Sequence, residues 1–165
     1  MDTELYNLAK SLGLILKERK LVIVTAESCT GGLLAASITD VPGSSAYFER
    51  GFVVYSDIAK QEDLGVKVET LEKFGAVSEQ VAEEMVDGAL RRSHATVGVA
   101  VTGIAGPTGD YKNKPIGTVC FALAGLELPT KTVTMRFDGD RRSIRMQAVK
   151  FALKTLRGQV STYDI

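Results

Sequence analysis

The residues best suited to chemistry sit together in Thr25-Ala26-Glu27-Ser28-Cys29-Thr30-Gly31-Gly32, where Ser28 and Cys29 are adjacent candidate nucleophiles. The β-branched apolar run Leu21-Val22-Ile23-Val24 leads in, and Leu33-Leu34-Ala35-Ala36, which can be helical, leads out. Strand, small polar loop with paired glycines, then helix is a recurring way to build an anion or oxyanion pocket. The loop N–H groups and the first helical turn point at whatever binds there. The expectation is the catalytic corner of a small amide hydrolase. On residue type alone Ser28 also suits a helix cap, and Cys29 a small buried filler.

A serine nucleophile needs a proton acceptor. His94 is the only histidine and follows Arg91-Arg92-Ser93 at the end of an expected helix. A basic side chain there complements the helix dipole, so a Ser-His-Asp triad lacks support. Lysine or a phenol remains. Lys60 is the candidate by position, following the apolar pair Ile58-Ala59, with Tyr55 shortly before it. Free lysine titrates near ~10.4, and lowering it by ~3 units needs ~4 kcal/mol from burial or a neighbouring cation. Taken alone, Lys60 reads as a surface lysine and Tyr55 as a core aromatic. One histidine and two separated cysteines make no familiar zinc spacing; a carboxylate-only magnesium site stays open. A second glycine-rich loop, Thr102–Gly109, lacks both the dinucleotide fingerprint and the Lys-Ser or Lys-Thr of a P-loop. It reads either as a backbone nest for a phosphate or as a surface loop.

The elements that must hold these residues follow from periodicity. Leu5, Leu8, Leu12, Ile15 and Leu16 recur at helical spacing, as an amphipathic first helix does. A strand is expected at about Lys20–Thr25 and a helix from about Gly31 to Thr39. Asp40–Ser45 has the composition of a turn. Phe52–Tyr55 is strand-like, Asp57 can cap a short helix through Gln61, and Val68–Phe74 reads as a helix closed by Gly75. Ser78 caps the clearest helix, with Val81, Met85, Val86 and Leu90 on its apolar face. Thr96–Val101 is a buried strand. Gly117–Ala124 and Lys131–Phe137 are two more, joined by a Leu128-Pro129-Thr130 turn. A last helix starts near Asp138–Arg142 and runs to about Leu156. Interleaved strands and helices predict an α/β fold, a three-layer α/β/α sandwich with a mixed sheet. Ligands gather at the loops after strand C-termini in such sheets, which brings Ser28 and Thr102 towards one site.

The 165 residues suit one domain, residues 1–165, and 20 acidic against 20 basic residues give no net field towards nucleic acid or a membrane. Two distant cysteines fit a reduced, cytoplasmic setting. The acidic start Met1-Asp2-Thr3-Glu4 lacks a signal-peptide layout, and the apolar runs are too short for a membrane span.

Several segments in order carry a resemblance: Thr25–Gly32, Thr39-Asp40-Val41-Pro42-Gly43-Ser44-Ser45, Tyr55-Ser56-Asp57-Ile58-Ala59-Lys60, Gly75-Ala76-Val77-Ser78-Glu79, Val101–Pro107, Lys114-Pro115-Ile116-Gly117-Thr118 and Gly139-Asp140-Arg141. Over nearly its whole length the chain resembles the C-terminal domain family of the competence/damage-inducible protein CinA. The resemblance implies hydrolysis of nicotinamide mononucleotide to nicotinate mononucleotide and ammonia, in pyridine nucleotide recycling. It makes Ser28 the nucleophile and Lys60 its base, with Tyr55 beside them, and it places Ser45, Thr102, Arg142 and the neighbouring Arg141 in the site. The expected oxyanion donors are N–H groups around Cys29, Thr30, Gly31 and Gly32. A 5′-phosphate would lie against Arg142 and the Thr102, Gly103 to Gly106 loop. No metal or organic cofactor is required, the expected partner is a small nucleotide substrate, and a homo-oligomer is expected. Two departures stand out. Asp57 replaces the Asn usual in the family, and a carboxylate near Lys60 favours its charged form. The loop Thr108-Gly109-Asp110-Tyr111-Lys112-Asn113 is less glycine-rich than the common version. The alternative reading is a nucleotide-binding module without turnover. Larger family members carry a separate N-terminal domain, for which this chain has no room.

Overall fold

The computed structural model describes residues 2–109 and 113–162. The order is α1 (Thr3–Glu18), β1 (Ile23–Glu27), α2 (Leu33–Thr39), a 3-10 turn (Ser44–Ala46), β2 (Phe48–Val53), α3 (Asp57–Leu64), α4 (Val68–Phe74), α5 (Glu79–Arg91), β3 (Val97–Gly103), β4 (Thr118–Gly125), β5 (Leu128–Arg136) and α6 (Arg141–Ser161). The sheet runs β2-β1-β3-β4-β5. β1 is parallel to β2 and β3, and β4 is antiparallel to both of its neighbours. The mixed sheet and the helices on both faces match the expected α/β/α sandwich.

Two apolar layers hold the sheet. Leu5, Leu8, Leu12 and Leu16 of α1 pack with Leu34 and Ile38 of α2, Ile144 and Leu153 of α6, and Ile23, Val99 and Val101 of the strands. Leu64, Leu71, Val81, Met85 and Val86 of α3, α4 and α5 pack on the other face, against Val24, Ala26 and Ala100. β1 is buried at every position because helices cover both its faces. The helix starts follow side-chain chemistry. Asp2 accepts from Leu5 N–H, Ser78 from Val81 N–H and Asp140 from Ser143 N–H, each satisfying a donor that the first turn leaves open.

β1 lies at the branch point of the topology. α2 carries the chain to β2 on one side, and α3, α4 and α5 return it to β3 on the other. A crevice opens where connections diverge in this way, at the carboxyl ends of the strands. α3 reaches that crevice because it packs closely on α5. A Cβ at Gly88 would stand 1.9 Å from the Leu64 carbonyl oxygen, so only glycine permits the approach.

Several expected boundaries move. β1 starts at Ile23 and runs on through Glu27, while β2 ends at Val53, before Tyr55. α3 continues to Leu64, and α6 continues to Ser161. Leu128-Pro129-Thr130 is the start of β5 and not a turn. The reversal uses Leu126 and Glu127, with φ of 58° and 56°. Two left-handed residues form the hairpin turn whose twist matches its strands. Neither is Gly or Asn, so composition concealed it. Pro129 is tolerated because β5 is an edge strand.

Candidate active site

Side-chain alternation along β1 sorts the key residues. Ile23 packs with the α1–α2–α6 layer, and Val24 and Ala26 with the α3–α5 layer. Period two sends Glu27 to the α2 side and Ser28 to the α3 side. Ser28 N–H donates to the Val101 carbonyl at 2.9 Å, extending the β1–β3 ladder one step beyond Glu27. Thr102 follows Val101 and faces the same side as Ser28. It is 1% exposed, and its hydroxyl donates to the Ala76 carbonyl at 2.8 Å.

Lys60 enters from the first turns of α3. It is 1% exposed, and Nζ lies 3.2 Å from Ser28 Oγ and 3.1 Å from the Tyr55 carbonyl oxygen. The surface-lysine reading is therefore overturned. Burial pushes the amine below its ordinary value, while the Asp57 carboxylate pulls it back up. Tyr55 is 59% exposed, not a core aromatic, because β2 ends two residues earlier. Its hydroxyl accepts from Arg141 at 2.8 Å, and Arg141 also donates to the Gly106 carbonyl at 2.6 Å.

Ser28, Cys29, Tyr55, Asp57, Lys60, Thr102, Gly103 and Arg141 line one cleft of about 190 Å³. Cys29 is 5% exposed, and burial raises its thiol to about 12, so it holds no thiolate at neutral pH. His94 is exposed beyond the end of α5 and does not line the cleft; its N–H donates to Glu49. Ser45 is exposed in the 3-10 turn and also lies outside the cleft. Arg142 opens instead onto a neighbouring cavity of about 470 Å³, shared with Arg141, Arg145, Leu33 and Met146. Among the described residues no acid or carbonyl pairs with the Arg142 guanidinium. Asp110, Tyr111 and Lys112 of the second loop lie outside the described residues.

Ser28 is not the cap of α2. That position is Gly32, which carries no side-chain cap. The buried Glu27 carboxylate does the work, accepting from Thr30 Oγ1 at 2.6 Å, Leu34 N–H at 2.9 Å and Ala35 N–H at 3.0 Å. The first turn of α2 is thus closed to a ligand, contrary to expectation. Gly31 and Gly32, with φ of 59° and 99°, turn the chain between Glu27's partners. Gly31 N–H is taken by the Ser28 carbonyl and Leu33 N–H by the Thr30 carbonyl. That leaves the N–H groups of Cys29, Thr30 and Gly32 outside this network. Arg145 of α6 completes the loop's support, donating to the Cys29 and Thr30 carbonyls at 3.1 Å each. Sequence reasoning gave neither Glu27 nor Arg145 a role. A buried acid beside a serine was the available signal for Glu27; nothing local marked Arg145.

The arrangement offers a hydroxyl and a desolvated amine 3.2 Å apart, beside a loop of backbone N–H groups, which together suit acyl transfer. Among the described residues no cluster of three acids, histidines or cysteines could hold a metal. No described helix is long and apolar enough to cross a membrane.

Comparison with known proteins points the same way. The family model of the CinA C-terminal domain matches residues 5–160. The chain is 50% identical over 154 residues to the nicotinamide-nucleotide amidohydrolase PncC of Enterobacter agglomerans, covering 93% of this chain and 94% of that one. It is also 50% identical over 155 residues to its namesake in Escherichia coli K12, covering 94% of each. A crystal structure of the competence/damage inducible protein CihA from Agrobacterium tumefaciens superposes with a TM-score of 0.94, at 43% identity and 98% coverage of each chain.

Proposed function

The chain belongs to the CinA C-terminal domain family, and on that premise we propose that it hydrolyses the carboxamide of nicotinamide mononucleotide, giving nicotinate mononucleotide and ammonia. The reading is supported by relatives at 50% identity named for nicotinamide-nucleotide amidohydrolysis. The observation that carries the chemistry is the buried Lys60 amine 3.2 Å from Ser28 Oγ.

Ser28 Oγ attacks the carboxamide carbon while its proton passes to neutral Lys60. The carbonyl π pair moves onto oxygen, and the resulting oxyanion is held by loop N–H groups at Cys29, Thr30 or Gly32. Each such donor is typically worth ~3–4 kcal/mol. The C–N bond then breaks as the Lys60 ammonium returns the proton to nitrogen, and ammonia leaves. Water attacks the acyl-serine, giving its proton to Lys60. Collapse restores the Ser28 hydroxyl with that proton. The cationic pyridinium withdraws electrons from the carbonyl throughout. Tyr55, with its hydroxyl oxygen held by Arg141, can donate its own proton at the mouth of the cleft. No step calls for a metal or organic cofactor.

The carboxamide end of the substrate occupies the Ser28 cleft, and the ribose phosphate extends past Arg141 to the cavity lined by Arg142. Guanidinium is the natural partner there, being always charged and forked. The chain acts as one amidohydrolase domain, a cytoplasmic homo-oligomer; light scattering checks the assembly.

Asp57 favours the rival reading, a nucleotide-binding module without turnover, since it opposes loss of charge from Lys60. One experiment separates them. Purified protein is incubated with nicotinamide mononucleotide, nicotinamide riboside or nicotinamide, and ammonia is measured. Release from the mononucleotide, with little from the other two, is the expected result. Tight binding of the mononucleotide without ammonia would establish the module instead.

A further inference from the structure

We infer that Arg145 is a positioning residue for the Ser28 loop, acting with Glu27 from the opposite side and strengthening the Thr30 N–H as an oxyanion donor. The inference rests on the Ser28 reading above. That reading gives Arg145 no part in the chemistry: it lines the phosphate cavity, touches neither Ser28 nor Lys60, and is absent from the lining of the Ser28 cleft.

The loop needs outside support. Two successive glycines follow Thr30 with left-handed φ, and glycine has the most backbone freedom to lose on ordering. Two buried or half-buried charges of opposite sign supply that support. On the α2 side the Glu27 carboxylate grips Thr30 Oγ1 and the N–H groups of Leu34 and Ala35. From α6, Arg145 Nε and Nη2 grip the carbonyls of Cys29 and Thr30, each at 3.1 Å. The fork spans two successive carbonyls, which a lysine point charge cannot reproduce.

Placement also has an electronic consequence. The Cys29 carbonyl shares its planar peptide with the Thr30 N–H, and the Thr30 carbonyl shares its peptide with the Gly31 N–H. A cation hydrogen-bonded to an amide oxygen draws electron density through the conjugated unit, so the N–H at the other end becomes a stronger donor. For Gly31 the benefit goes to its 3.0 Å bond with the Ser28 carbonyl, which tightens the turn behind the nucleophile. For Thr30 it goes to an N–H that takes no backbone partner among the described residues and that the reading above makes an oxyanion donor. Arg145 therefore acts on the transition state through the peptide, without contacting the reacting atoms.

The test follows two rates on Arg145→Ala, Arg145→Lys and Thr30→Val: ammonia release from nicotinamide mononucleotide, and inactivation by phenylmethylsulfonyl fluoride, which sulfonylates an activated serine whatever the natural substrate. Arg145→Ala is expected to lower kcat by about 10²-fold, on the scale of one lost oxyanion donor, and to slow sulfonylation in parallel. KM should move by no more than about threefold. Millimolar guanidinium should restore part of both rates in Arg145→Ala and none in Arg145→Lys. Unchanged kcat and sulfonylation would overturn the inference, as would a raised KM at constant kcat, which would make Arg145 a substrate ligand. If Arg145→Ala fails to fold, Arg145→Lys and Thr30→Val decide the matter, and full activity in both overturns it. Wild-type protein that is sulfonylated at Ser28 but releases no ammonia defeats the substrate reading alone, and the sulfonylation rates still judge the inference. Wild-type protein inert in both assays defeats both.

Discussion

The Ser28 cleft and the arginine-lined cavity beside it share Arg141, yet they treat their cations in opposite ways. Lys60 is buried, and desolvation lowers its affinity for a proton. Arg142 is exposed, and a guanidinium keeps its charge in any case. In the proposed reaction one chamber needs an amine that can give up its charge to accept a proton, and the other needs a cation that never does. The same fold supplies both by depth alone. Lys60 sits on the first turns of α3, and Arg142 sits on the first turn of α6 at the surface. Residue type and burial thus separate a buried amine from an exposed guanidinium in two cavities that share Arg141.

The contrast can be broken most severely at the proposed nucleophile. Ser28→Ala is expected to reduce ammonia release by at least about 10³-fold, since only binding and oxyanion contributions would survive. Binding of the mononucleotide, followed by calorimetry, should persist because the arginine chamber is intact. Lys60→Met comes next, with an expected loss in kcat of about 10²–10⁴-fold, the usual range for a positioned acid–base group. Its stability should move the other way. The folded-state pKa of Lys60 lies below its unfolded value, so the unfolded chain binds more protons between the two and stability rises with pH across that window. At neutral pH, wherever the amine is charged, its burial opposes folding, and Lys60→Met removes that opposition. Each kcal/mol relieved should raise the melting midpoint by about 2–4 °C in a chain of this size.

Arg142→Ala tests the other chamber. KM for the mononucleotide should rise about 10-fold with kcat nearly constant, the pattern of lost uniform binding, while the riboside reaction is unchanged. A fall in kcat with steady KM would mean that the two chambers are not separate in role. The smallest effect is expected from Asp57→Asn. The proposed reaction needs neutral Lys60, so on that proposal the rate falls as pH drops through the folded-state pKa. Asp57 holds that pKa up; without its charge the acid limb of the pH–rate profile should shift to lower pH. A shift to higher pH, or none, would show that Asp57 does not act on the amine.

Much of this was legible before any coordinates. The helix α1 follows from its apolar spacing, α4 from its closing Gly75 and α5 from its Ser78 cap and apolar face, and the paired glycines after β1 mark a backbone reversal. Less legible were features that depend on distant partners. The hairpin at Leu126-Glu127 has no Asn-Gly signal and is held in place by strand pairing. Tyr55 reads as strand until β2 is seen to end at Val53. Glu27 stands in the motif, yet its role as the cap of α2 appears only when the strand alternation and the helix start are seen together. Arg145 lies 116 residues beyond the carbonyl it holds at Cys29.

The sequence by itself determined which groups are present, the α/β order, and the alternation that separates Ser28 from Glu27 across the sheet, because those depend on near neighbours and backbone geometry. Tertiary structure alone decided that the amine of Lys60 is dry and meets the hydroxyl of Ser28, while Arg142 stays wet. Desolvation is a sum over every atom packed around a group, and those atoms come from segments far apart in the chain.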